Sequence, residues 1–207
     1  DRVDLPHDFM IAGKGQNVSV PGEGNDSARF ARLPASSEGP FDPRSPGGSS
    51  GGFLNGGIGW YRKTFSLPAS ASARRVFLEF EGVYMNSEVW LNGQTLGTWP
   101  YGYSTFQYEL TPLLKFGGAP NVIAVRAVVQ QPGSRWYSGG GIYRHVWLTI
   151  ANPVHIDHWG MVVRTTAVDA ARAEVHVRVD VRNQSASRVS AETEVTIHDK
   201  AGRAVAT

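Results

Sequence analysis

The chain has 207 residues, with 20 basic and 18 acidic side chains, a formal net charge of +2 and no cysteine. That length suits one large β domain, or one domain and part of a second, and such a chain buries roughly 70% of its unfolded surface without disulfide staples. The missing thiols exclude thiolate zinc sites, Cys nucleophiles and a disulfide framework; the interspersed charges speak against nucleic acid, and no apolar run reaches the ~18 residues of a membrane span.

The opening DRVDLPHDF lacks the pattern of a signal peptide and starts mid-phrase, as a trimmed or mature chain would. From Gly13 to Gly57 the chain is dense in Gly, Pro, Ser and Asn, with Phe30, Phe41, Phe53 and Leu54 recurring as anchors. This predicts a long surface loop, partly tied down, of the kind that lines sites on rigid β scaffolds. Strand signals then dominate: WYRKTFSL (60–67), RVFLEFEGV (75–83), SEVWLNG (87–93), QTLGTW (94–99), NVIAVRAVV (121–129) and YRHVWLTI (143–150). They are rich in β-branched and aromatic residues and mostly alternate polar with apolar. Asn92-Gly93 between WL and QTLG predicts a hairpin with a type I′ turn, which needs positive φ at both central residues. Many short strands separated by turns argue for a sandwich or jelly roll.

Two loops carry aromatics. WPYGYSTF places Trp99, Tyr101, Tyr103 and Phe106 around Pro100 and Gly102, and SRWYSGGG places Arg135, Trp136 and Tyr137 before three glycines. Rings and polar groups on β-scaffold loops suit the C–H face and hydroxyl rim of a sugar; burial against a neighbouring domain is the competing reading. Trp60, Trp90 and Trp147 lie within strand patterns and are expected in the core or packed between sheets. Near Asn152-Pro153 a second region begins, with strands at 154–166, 171–184 and 190–202. In the middle one, Val175, Val177, Val179 and Val181 alternate with His176, Arg178, Asp180 and Arg182, the mark of a strand with one wet face. Its about 55 residues fall short of the ~100 of an immunoglobulin-like fold, so the chain is expected to end before that domain does.

The chemistry-bearing motifs are sparse. There is no GxSxG elbow, P-loop or HExxH, and the triple glycine has no βαβ unit around it. Glu79 and Glu81 share a strand face, which a solvated surface explains better than a glycosidase pair. His155, Asp157 and His158 sit at a strand start with no ligand-rich segment nearby, so no metal site is assigned. The glycosylation triplets at Asn17, Asn25 and Asn183 are read as chance.

In order, the segments VDLPHDF, GGIGWYRKTFSLP, RVFLEFEGVYMNSEVWLNGQTLG, YGYSTFQYELTPLL, NVIAVRAV and SGGGIYRHVWL resemble the N-terminal region of glycoside hydrolase family 2, which includes β-galactosidases, β-glucuronidases and β-mannosidases. The resemblance implies an all-β chain: a jelly-roll sugar-binding domain over 1–151, then a partial immunoglobulin-like β-sandwich over 152–207. It also implies that the two catalytic glutamates of a retaining mechanism lie on a TIM barrel outside this chain. No residue here is therefore assigned as catalytic, and the chain alone is expected to be inactive. Trp99, Tyr101, Tyr103, Arg135, Trp136 and Tyr137 are the expected contacts to carbohydrate or barrel. Asn92, Gly93, Gly139, Gly140, Gly141 and Arg144 are expected to shape turns. Two departures from the family pattern stand out: a strand normally preceding VDLPHD is not in this sequence, leaving an expected open sheet edge, and the WPYGYST loop lacks the aspartate some members use for sodium. Neither metal nor cofactor is expected. The expected partners are a β-galactoside-class carbohydrate and the barrel of the same polypeptide, with no nucleic acid or membrane and a homo-oligomer left open. Bacterial periplasm or secretion stands ahead of cytoplasm. A free-standing carbohydrate-binding or adhesion module is the alternative from another class.

Overall fold

The computed structural model describes residues 2–12 and 41–207. Phe30, Asn17 and Asn25 lie outside the described residues. Two compact units divide the chain, Asp1–Ile150 and Ala151–Thr207.

In the first unit the strand patterns become β1 (Gly57–Ser66), β2 (Arg75–Phe80), β3 (Val83–Tyr84), β4 (Ser87–Leu91), β5 (Gln94–Trp99), β6 (Phe106–Glu109), β7 (Pro120–Val129), β8 (Gly141–Ile142) and β9 (Val146–Ala151). A short helix, α1 (Phe9–Ala12), precedes them. Two antiparallel sheets form, a four-stranded one in the order β1-β7-β4-β5 and a three-stranded one in the order β6-β2-β9, with β3 and β8 as a separate ribbon. The strict alternation in β2, β4 and β7 aims one side of each sheet inward: Val76, Leu78 and Phe80 meet Val89, Leu91, Ile123, Val125 and Ala127 in one core, joined by Phe106 and Ile142. Burying each large aliphatic or aromatic side chain there is worth about 1.5–3 kcal/mol. The chain is all-β, a sandwich of packed antiparallel sheets.

Several strands differ from their sequence readings. Phe106 is not a loop aromatic; it starts β6 at 5% exposure, stacked on Phe80 with centroids 5.0 Å apart. Trp60 and Trp147 are not in the core, being 62% and 51% exposed. Trp60 faces outward opposite Arg126 and stacks on Trp90 at 5.3 Å. Of the expected loop anchors, Leu54 is buried, whereas Phe41 and Phe53 stand exposed. Residues 41–56 close on themselves through polar groups instead. Asp42 pairs with Arg44 at 3.0 Å, and the buried Ser45 hydroxyl donates to the Leu54 carbonyl at 2.7 Å.

Both β1 and β9 end their sheets, and a cleft of about 920 Å³ opens between them, walled by Phe80, Val125, Ile142, Leu148 and the aliphatic flank of Arg2–Leu5. In the second unit β10 (Val154–Val168) pairs with β11 (Ala173–Asn183), and β12 (Ile197–His198) with β13 (Ala204–Ala206). The strand expected over 190–202 contracts to the two residues of β12.

Candidate functional site

Three connections gather around the β3–β8 ribbon, in which Tyr84 pairs with Gly141. The first is the β5–β6 loop. Gly102 passes directly under the Tyr84 ring, where a Cβ would come within 2.3 Å, and its carbonyl accepts from the Tyr143 hydroxyl at 2.8 Å. Tyr103 packs on Tyr84 at 5.3 Å and Tyr101 meets Tyr103 edge-on at 5.8 Å. Both Tyr101 and Tyr103 remain exposed. Trp99 behaves differently: it is half-buried, stacked on Phe106 at 5.3 Å, and its indole N–H donates to Ser104 Oγ at 3.1 Å. Those partners consign Trp99 to supporting the loop from below.

The second connection, between β7 and β8, holds Arg135, Trp136 and Tyr137. Ser134 shapes it: its hydroxyl donates to the Trp136 carbonyl at 2.6 Å and accepts from the Trp136 N–H at 3.1 Å, with Ser138 Oγ 3.0 Å away. The resulting knuckle turns Arg135 and Trp136 out to solvent, Trp136 at 62% exposure. Tyr137 turns the opposite way, against a second core of Met10, Leu54, Tyr84 and Val129. Its hydroxyl donates to Asp8 Oδ2, and Asp8 Oδ1 accepts from the N–H groups of Gly140 at 3.2 Å and Met10 at 2.9 Å. Burial, and then the Asp8 carboxylate, push the Tyr137 phenol above its ordinary range. Burial likewise raises Tyr143. Arg144 is exposed, with its guanidinium 5.7 Å from the Tyr143 ring centroid.

The third connection is the 41–56 loop. A side chain at Gly52 would stand 3.7 Å from Tyr137 Cβ, so this loop abuts the second. The next residue, Phe53, is exposed and held at φ +59°, a conformation uncommon for a bulky side chain.

Of the six expected contact residues, then, Tyr101, Tyr103, Arg135 and Trp136 are presented to solvent around one ribbon, while Trp99 and Tyr137 are held from beneath. Asn92 and Gly93 form their turn elsewhere, between β4 and β5, with φ of +53° and +84°. Gly139, Gly140 and Gly141 run beside the N-terminal segment, whose His7 and Phe9 N–H groups donate to the Ile142 and Gly140 carbonyls at 2.8 and 2.9 Å. Asp8, Ser134 and Tyr84 were not singled out from sequence, and Phe53 was read only as a loop anchor. Asp8 alone carried a local signal, a short acidic side chain just ahead of the helical FMIA.

Elsewhere, Glu81 accepts from Trp147 Nε1 at 2.8 Å and faces His145 Nδ1 at 3.2 Å; the indole, then the imidazole, hold its carboxyl below the usual range. Asp157 is committed to Arg182, whose Nε donates at 2.8 Å, and His158 stacks on Trp159. Among the described residues no three His, Asp or Glu side chains are grouped to hold a metal ion.

Residues 59–136 match the family model of the glycosyl hydrolase 2 galactose-binding domain-like region. The whole chain is 44% identical to the beta-galactosidase BoGH2A of Bacteroides ovatus, covering 25% of that protein. Over 72% of its length it is 33% identical to a beta-glucuronidase of Formosa agariphila, covering 17% of it. The crystal structure of a glycosyl hydrolase family 2 member from Bacteroides cellulosilyticus superposes on 99% of the chain with a TM-score of 0.75 at 34% identity, covering 24% of that chain. The chain thus spans about a quarter or less of the length of these relatives. Two packed antiparallel sheets with these likenesses define a galactose-binding domain-like β-sandwich. Residues 59–136 thus form the galactose-binding domain-like region of glycosyl hydrolase family 2, and the whole chain is similar to the corresponding part of that family's members.

Proposed function

We propose that this chain is the non-catalytic, carbohydrate-facing N-terminal portion of a retaining family 2 glycosidase acting on β-galactosides. The observation that carries the reading is the 44% identity, across the full chain, to a protein named as a beta-galactosidase. The chemistry of the rim supports it. Trp136 offers an open ring face for the C–H side of a pyranose, and Arg135 beside it carries donors for hydroxyls. Tyr101 and Tyr103 extend the same aromatic surface. Asp8, the carboxylate beneath, has both oxygens taken by protein donors, so the rim binds and orients while the bond-breaking carboxylates come from the rest of the polypeptide. The domains are read as a jelly roll over 1–151 and a partial immunoglobulin-like sandwich over 152–207.

The likeness to a beta-glucuronidase favours one second reading, the same portion of a glucuronide-cleaving enzyme. A side-by-side assay separates the two. The 207-residue chain and the full-length polypeptide that contains it are each given aryl β-galactoside, β-glucuronide and β-mannoside. The full-length protein is expected to cleave the galactoside and the chain alone to cleave nothing; activity in the short chain would overturn the reading. In the full-length enzyme Trp136→Ala should raise KM roughly tenfold and leave kcat nearly unchanged, the mark of lost uniform binding.

A further inference from the structure

We propose that Asp8 is a positioning residue: its carboxylate, acting through Tyr137 and Gly140, sets the loop that presents Arg135 and Trp136. The proposal rests on the reading of that loop as a carbohydrate rim.

Three donors converge on this one side chain from two distant parts of the chain. Met10 N–H comes from its own segment, while Gly140 N–H and the Tyr137 hydroxyl come from the β7–β8 connection. Main-chain bonds run alongside, from His7 to Ile142 and from Phe9 to Gly140. The approach is close: a Cβ on Gly139 would stand 3.1 Å from Asp8 Oδ2. Asp8 therefore fastens the far end of a loop whose near end is already made stiff by Ser134. Between the two fastenings lie only Arg135, Trp136, Tyr137 and Ser138–Gly139.

Tyr137 is the lever. Its ring is half-buried in the second core, and Trp136 follows any movement of its backbone directly. Without the carboxylate the phenol, in surroundings that disfavour its ionisation, loses its acceptor, and Gly140 N–H loses one too. Small displacements of positioning groups have large kinetic consequences, up to ~100-fold for about 1 Å. Both Asp8 oxygens already accept from protein donors, so its effect reaches carbohydrate through the loop.

The test uses the full-length polypeptide with a β-galactoside oligosaccharide. KM and kcat are measured for Tyr137→Phe, Asp8→Asn and the double variant, with Trp136→Ala and Arg135→Ala as references, and each variant's melting temperature is recorded. Both single variants are expected to raise KM roughly tenfold with kcat within about twofold. The double variant should be no worse than the poorer single, because the Asp8–Tyr137 bond that Tyr137→Phe removes is already broken in Asp8→Asn. Tyr137→Phe keeps the ring and the packing, so it decides the matter even if Asp8→Asn fails to fold. An unchanged KM in Tyr137→Phe, with KM raised in Trp136→Ala, overturns the positioning role and leaves the rim intact. Multiplying effects in the double variant, or a fall in kcat tracking a fall in melting temperature, overturn it as well. If Trp136→Ala and Arg135→Ala both leave KM unmoved, the rim reading itself fails.

Discussion

Gly141 occupies a position that a side chain would disrupt. Its φ is +116°, and a Cβ there would fall 2.1 Å from the Tyr61 hydroxyl and 3.0 Å from the His7 carbonyl oxygen. Gly93 is a useful contrast: at φ +84° it has nothing within 4 Å of a would-be Cβ. Gly93→Ala should cost about 1 kcal/mol through backbone strain alone, and Gly141→Ala at least about 2 kcal/mol more, because the stiff, half-buried Tyr61 ring, hydrogen-bonded to His7, would have to move out of the way. Urea denaturation of both variants checks the difference; equal costs would remove the packing argument. Tyr61, the neighbour in question, is pushed up to about 12, chiefly by burial. A folded pKa above the unfolded value of ~10 means the fold prefers the protonated phenol. Its contribution is complete below about pH 10 and is lost as pH climbs from about 10 through 12. Urea midpoints across that range should fall for the native chain and less steeply for Tyr61→Phe; parallel slopes would discount the phenol. The triple glycine was legible as a sharp turn. What it turns against was not, since His7 and Asp8 lie some 130 residues away in sequence and no local pattern points to them.

The β4–β5 hairpin was readable to the residue because its signal is local: Asn-Gly between alternating strands dictates the turn. Its attachment was not readable. Asn92 Nδ2 donates to the Leu113 carbonyl and to Asn121 Oδ1, both at 2.9 Å, and its Oδ1 accepts from Val122 N–H at 3.0 Å. Asn121, fully buried, also accepts from Lys115 N–H at 2.8 Å and donates to the Lys115 carbonyl at 2.7 Å. Two amides thus tie the hairpin tip to the connection entering β7. Asn121→Ala should cost roughly 2–4 kcal/mol, since it leaves buried backbone groups without partners. A chemical melt would show it, and a cost under about 1 kcal/mol would mean water replaces the amide. The misplaced tryptophans have a related cause. In WYRKTF both alternate sets mix apolar with polar: Trp60, Arg62 and Thr64 against Tyr61, Lys63 and Phe65. Alternation then identifies a strand without choosing its inner face. The register opposite β7 makes that choice, pairing Tyr61 with buried Val125 and Trp60 with Arg126. β6 escaped notice because it is four residues long and follows a loop punctuated by Pro and Gly, with too few positions for alternation to register.

The two units differ in what could hold them together. The buried hydrophobic side chains among the described residues all lie between Met10 and Ile142, inside Asp1–Ile150. In Ala151–Thr207, β10 and β11 align Met161 with Val179 and Val163 with Val177, yet Met161 and Val163 are 61% and 57% exposed and Ile156 is 53% exposed. A two-stranded ribbon with one uncovered apolar face is marginal in water, because the burial that would offset about 1–2 kcal/mol of backbone entropy per residue is missing. The sequence showed the apolar stripe of Val175, Val177, Val179 and Val181 but could not show whether anything covers it, since coverage is a property of non-local packing. Residues 1–150 alone should therefore unfold in a single cooperative transition with a native near-UV spectrum, whereas residues 151–207 alone should give neither. Circular dichroism of the two pieces across a thermal ramp is the measurement. A cooperative melt from 151–207 would mean the ribbon stabilises itself by contacts the exposure pattern does not contain, and the division of stability between the units would have to be redrawn.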